Sequence, residues 1–153
     1  MKRLHKANVS GGFTLIEVLI ALVVLAVGLL GFALLQTMSV RFAQSANYRT
    51  QATNLTYELI DQMRMNRVTA STYIGSYTAT TEATDCIPAT GVDRRAAHFK
   101  TAWQCRLGRA LGEGASATVT QVPGDLIEVR VTWGDERWNV DADAVTFTAR
   151  TRL

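Results

Sequence analysis

Gly11-Gly12-Phe13-Thr14-Leu15-Ile16-Glu17 runs directly into an unbroken apolar stretch at residues 18–35, VLIALVVLAVGLLGFALL. A helix needs about 20 consecutive apolar residues to cross a bilayer core of about 30 Å, and this stretch with its flanks supplies them. The charges before it are Lys2, Arg3 and Lys6, and Glu17 is the one acid near its start. A carboxylate in a membrane helix is costly, about 2.5–3.5 kcal/mol at the centre and less near the interface, unless something pairs with it. Glu17 is therefore a candidate functional residue.

Charge follows the same division. The chain of 153 residues has a formal net charge of +3, with 16 Lys+Arg against 13 Asp+Glu. Three of the positives precede residue 13, and without them the remainder balances at 13 against 13. The basicity is thus a property of a short leader. A basic segment before an apolar span holds that end in the cytoplasm, so the rest of the chain is expected to face the other side, which in a bacterium is the periplasm. Bulk charge gives nucleic-acid binding little support.

Cys86 and Cys105 both fall in the exported part. An oxidising compartment favours an intrachain disulfide over two buried free thiols. The closed loop of about 20 residues would contribute roughly 3 kcal/mol in the chain-entropy model. His98 is the only histidine downstream of the apolar run. Structural zinc takes four ligands, usually in close Cys/His pairs, so no metal is expected.

Residues 13–67 read as one long helix without proline, about 80 Å at 1.5 Å per residue. Its first part is apolar on every face, as a membrane helix should be. Beyond Gln36 the pattern becomes one-sided, with Met38, Phe42 and Ala46, then Ala52, Leu55, Leu59 and Met63, on one stripe. Arg41, Arg49, Glu58, Asp61 and Arg64 occupy other faces. Residues 69–91 read as an irregular Thr/Ser-rich connector. A second helix is expected at residues 93–111, with Asp93 as N-cap and Gly112 as stop. Its apolar face is Ala96, Phe99, Trp103, Leu107 and Leu111. Arg94, Arg95, Lys100, Arg106 and Arg109 form a basic face, read first as solvated surface and second as an acidic contact. Period-two alternation predicts strands at 116–122 and 126–133, joined by Pro123-Gly124-Asp125, a short strand around Trp138, and a closing strand within 143–153. Ile127, Val129, Val131 and Trp133 would face the amphipathic half of the long helix, and Glu128, Arg130 and Thr132 the solvent.

A secretory signal puts its small-residue cleavage site after the apolar core. Here Ser10-Gly11-Gly12 comes before it. Gly12-Phe13-Thr14-Leu15-Ile16-Glu17 resembles the class III signal of type IV pilins and type II secretion pseudopilins. The resemblance implies cleavage between Gly12 and Phe13 by a prepilin peptidase, N-methylation of the new Phe13 amine, and pairing of Glu17 with the Phe13 amine of a neighbouring subunit. It implies an α+β pilin fold, a long N-terminal helix packed on a small antiparallel sheet with a second short helix. Residues 1–12 are then a cytoplasmic leader, 13–36 the transmembrane half of the helix, 37–67 its amphipathic half, and 68–153 a periplasmic head. Residues 24–36 and 51–67, QATNLTYELIDQMRMNR, further resemble the PilV-like minor pilins called type IV pilus modification protein, notably at Ala52, Tyr57, Asp61, Met63, Arg64 and Asn66. Major pilins often have a proline in the membrane half. This chain has Leu34 in that neighbourhood, and Gly28 and Gly31 serve equally well for helix loosening or for close helix packing.

The function implied is that of a minor pilin in the type IV pilus assembly or initiation complex, held in the inner membrane as a single-pass protein and then in the fibre or its tip. Its partners would be prepilin peptidase, other minor and major pilins, the inner-membrane assembly platform and lipid. Two alternatives stay open: a minor pseudopilin of a type II secretion system, and a pilin that binds DNA or adheres through the basic face. No catalytic motif is present, and His98 with Cys105 makes no nucleophile once Cys105 is oxidised. The chain reads as an enzyme's substrate and needs no cofactor.

Overall fold

A computed structural model of the chain describes residues 12–82, 86, 96–135 and 143–153. It divides into two compact units, Met1–Phe42 and Ala43–Leu153. The first unit consists, among the described residues, of a short lead-in and the first part of helix α1 (Leu15–Met65). The absence of proline lets the helix run on through Gly28 and Gly31. Its 18-residue apolar window has no buried surface. Such a surface is unfavourable in water and suited to lipid.

The second unit is an antiparallel sheet in the order β1-β2-β3-β4. The strands are β1 (Gly75–Thr78), β2 (Ser116–Val122), β3 (Leu126–Trp133) and β4 (Val145–Arg152). Val129 pairs with Val119 on one side and Ala149 on the other, and Val131 with Ala117 and Phe147. This register puts the buried apolar residues of every strand on one face, as alternation requires. That face shares one core with Ala52, Leu55, Leu59, Ile60 and Met63 of α1 and with Trp103, Leu107 and Leu111 of α2 (Ala96–Leu111). The fold is α+β and pilin-like. Asp93 and residues 94–95, expected to open α2, and the strand expected around Trp138 lie outside the described residues.

Burial corrects the helix stripe. Met38 and Phe42 are 47% and 68% exposed, and Ala46 is exposed as well, so the buried seam begins only at Ala52. An apolar stripe states which face of a helix is apolar, and burial depends on what packs against it. Thr56 lies in the seam fully buried, and its hydroxyl donates to the Ala52 carbonyl at 2.8 Å.

The connector is also more ordered than expected. Residues Arg67–Tyr73 form a 3-10 helix, and β1 follows within the Thr/Ser-rich segment. Only Tyr77 of β1 is buried. Its ring meets the Trp103 indole edge-on with centroids 5.3 Å apart, and its hydroxyl donates to the Tyr73 carbonyl at 2.5 Å. Burial, with a smaller contribution from Tyr73, pushes the Tyr77 phenol up to about 12.

Beyond β1 the chain crosses α2. The Thr80 amide donates to the Gln104 carbonyl at 3.3 Å, and the Ala79 amide to the Ala115 carbonyl at 3.0 Å. A Cβ on Gly108 would stand 2.3 Å from the Thr80 oxygen, so only glycine permits this crossing. Gly112 ends α2 at φ 91° and donates to the Gly108 carbonyl at 2.8 Å, the left-handed stop foreseen for it.

Hydrogen-bonded clamps tie α1 to the sheet. Asp135, beyond β3, accepts from Ser45 at 2.6 Å and from the Trp133 indole at 3.3 Å. Arg64 donates to the Thr151 hydroxyl at 2.7 Å, and Arg67 to the Leu153 carbonyl. On the outer face Glu128 is buried despite its outward register. It accepts from Arg150, directly opposite on β4, at 2.5 Å and from Arg130 at 2.9 Å. The Arg150 hydrogen bond, with the charge of both guanidinium groups, outweighs desolvation and holds the Glu128 carboxyl below its ordinary 4.5.

Two tests follow from these contacts. Gly108→Ala should destabilise the fold by about 1–3 kcal/mol from overpacking, less up to about 1 kcal/mol gained in helix propensity. Gly114→Ala, with no atom within 4 Å of the new Cβ, should leave the melting temperature nearly unchanged, and equal melting of the two variants would refute the crossing constraint. For Glu128 the folded value is depressed, so its contribution is complete above the unfolded value and lost as pH falls through the folded one. Thermal melts should therefore weaken below about pH 4.5. Glu128→Gln should lower stability at neutral pH and flatten part of that acid slope.

Candidate assembly site at the helix N-terminus

The first turn of α1 is fixed by Thr14. Its carbonyl accepts from the Glu17 amide at 3.1 Å and the Val18 amide at 3.3 Å, while its hydroxyl accepts from the Glu17 amide at 3.3 Å. Thr14-Leu15-Ile16-Glu17 has the Thr-x-x-Glu form of a capping box, a sequence signal overlooked above. The hydroxyl satisfies one of the four amides that a helix start leaves open, and in lipid no water would do so. Glu17 in the first turn also complements the positive end of the helix dipole.

Phe13 precedes the helix and is 84% exposed. It stands just outside the first turn that holds Glu17. Together with Val18, Ala21, Leu22 and Leu25 they line one shallow groove of about 420 Å³. Glu17 is its single carboxylate, and every other lining residue is apolar. Gly12 is exposed, with open space around its Cα. The arrangement therefore places Gly12, Phe13 and one carboxylate, Glu17, together at the start of the helix.

The other candidate residues lie in the head. Cys86 and Cys105 are joined, with Cα atoms 5.4 Å apart, and tie the segment after β1 to α2. The oxidised Cys105 offers no thiolate for a pairing with His98. The basic face of α2 is partly committed to the fold. Arg106 is ion-paired with Glu58 at 2.5 Å, and its guanidinium lies 5.7 Å over the Phe99 ring. The Lys100 ammonium lies 5.8 Å over Tyr77. Arg94 and Arg95 lie outside the described residues. Among the described residues no group of three His, Cys, Asp or Glu side chains is placed to hold a metal.

No curated protein and no solved structure matches the chain. Residues 8–33 match the family model of the prokaryotic N-terminal methylation motif. The match covers Gly12, Phe13, Glu17 and most of the apolar run, and with the exposed apolar helix it supports a membrane-anchored, type IV pilin-like subunit that is processed by prepilin peptidase and assembles with other pilins.

Proposed function

We propose that the chain is a minor pilin, a structural subunit of the type IV pilus assembly or initiation complex. The observation that carries this reading is Gly12-Phe13 followed by Glu17 at the head of an exposed apolar helix, within the matched motif. Prepilin peptidase cuts between Gly12 and Phe13 and methylates the new amine. Residues 1–12 leave as the leader, 13–36 anchor the subunit, 37–67 continue the stem, and 68–153 form the periplasmic head, where the Cys86–Cys105 bond forms. An unpaired Glu17 is costly in lipid, and a neighbouring Phe13 amine at the same depth compensates it only at one axial stagger. Pairing then sets register.

The PilV-like assignment rests on residues 51–67, and packing gives several of them a reason. Ala52 and Met63 are fully buried in the seam under the sheet. Arg64 bridges Asp61 at 3.2 Å and Thr151, and the Asn66 amide donates to the Gln62 carbonyl at 2.9 Å. These contacts suit one head. A minor pseudopilin of a type II secretion system shares the signal and the stem, so the two machines are separated by experiment. DNA binding through α2 is disfavoured, because among the described residues the helix offers few cations, Lys100, Arg106 and Arg109, against the many phosphate contacts that such binding needs.

Deletion of the gene should abolish or reduce surface pili and leave type II secretion intact, and the opposite pattern would assign the subunit to secretion. Mass spectrometry of the mature protein should find N-methylated Phe13 as its terminus and a peptide linked through Cys86 and Cys105. Glu17→Ala should be processed normally, yet enter filaments at least about tenfold less, the equivalent of roughly 1.4 kcal/mol. Wild-type incorporation of that variant would remove the pairing role.

A further inference from the structure

α1 and α2 enclose a groove of about 470 Å³ in the head, on a side that the sheet does not cover. Asn47, Gln51, Asn54 and Glu58 line one wall, and Arg106, Arg109 and Ala110 the other. The first four recur at intervals of four, three and four residues, so one face of α1 carries three carboxamides and a carboxylate in a 3.5-residue seam. No hydrogen bond or ion pair among the described residues engages the side chains of Asn47, Gln51, Asn54 or Arg109. Arg106 is held at Nη2 by Glu58, and its Nε is a buried donor with no acceptor among the described residues. A buried donor in that state costs free energy until an acceptor reaches it.

Among the described residues the lining carries two guanidinium groups against one carboxylate, an excess of one positive charge, and no aromatic ring to stack on a sugar. Carboxamides at 3.5-residue intervals match the side-chain rows of a second helix, which recur at i+3 and i+4. We propose that this groove docks an acidic helix of a partner protein, with a carboxylate between Arg106 and Arg109 and polar side chains on the three carboxamides. A second copy of the head is a poor occupant. On α1 its Glu58 and Asp61 are already paired, and α2 contains no acid. The proposal goes beyond the pilus assignment and does not depend on which machine the subunit serves.

The test uses the full chain in detergent micelles. The probe is a blocked alanine-based helix of about 14 residues, carrying Glu at i, i+3 and i+7 to follow the seam spacing. Its control has Gln at the same places. The Glu helix should bind at least about tenfold more tightly than the Gln helix, weaken with salt, and move the Arg106 Nε–H resonance in arginine-selective spectra. Arg109→Gln and Asn54→Ala should each weaken binding several-fold with unchanged melting temperature. Equal binding of the two helices, no binding at millimolar peptide, or full affinity in Arg109→Gln would overturn the proposal. So would concentration-dependent self-association that Arg109→Gln abolishes, since the occupant would then be a second copy. Processing and filament incorporation are scored separately in the same variants, so a failed groove leaves the pilin reading untouched.

Discussion

The head is organised around one indole. Trp103 is fully buried, donates from Nε1 to the Leu55 carbonyl of α1 at 3.1 Å, and receives the edge-on Tyr77 ring of β1. One side chain thus joins the two helices and the first strand. Burying a residue of this size is worth about 3–5 kcal/mol when measured by its removal, and the indole N–H needs the partner that Leu55 supplies. The neighbouring features depend on this placement. Seated by Trp103, α2 brings Cys105 within disulfide distance of Cys86 and Arg106 onto Glu58, and it presents Gly108 to the Thr80 backbone.

Much of this architecture is legible in the residues, and the places where it is not have physical causes. β2 and β3 match their alternation to the residue, because long half-buried strands repeat the signal several times. β1 has four residues and one buried side chain, too few to rise above a Ser/Thr-rich background. Met38 and Phe42 continue the stripe of α1 in sequence, yet a stripe states only which face is apolar. How far it is covered depends on what packs against it. Alternation sends Glu128 outward, and outward it points. Two arginines then close over it from its own strand and from β4, a cross-strand arrangement that needs the β3–β4 register. Gly108 reads as a weak point in a helix until the Thr80 crossing is known.

The N-terminal motif is legible through identity and spacing alone, and residues 8–33 match the methylation-motif model. Thr14 was the overlooked member. Its role is local, and it explains how a helix begins at a depth where water is scarce. The Glu17 amide reaches both Thr14 oxygens and the Val18 amide its carbonyl, so Thr14 lowers the need for solvent at the start of α1.

That local role bears on how Glu17 works in the proposed mature subunit. Cleavage would leave a positive amine on Phe13, next to the positive end of the α1 dipole, an unfavourable juxtaposition. Glu17 and Phe13 line the same groove, so the carboxylate would offset both charges within its own chain before any neighbour arrives. Pairing between subunits therefore exchanges one partner for another, and its net stabilisation is smaller than the cost of an isolated carboxylate in lipid. What the exchange does supply is discrimination. A neighbour at the wrong stagger would bring its amine to apolar side chains such as Ala21 or Leu25, which return nothing, while the correct stagger restores every charge contact. Glu17 on this account contributes less to the strength of assembly than to its register.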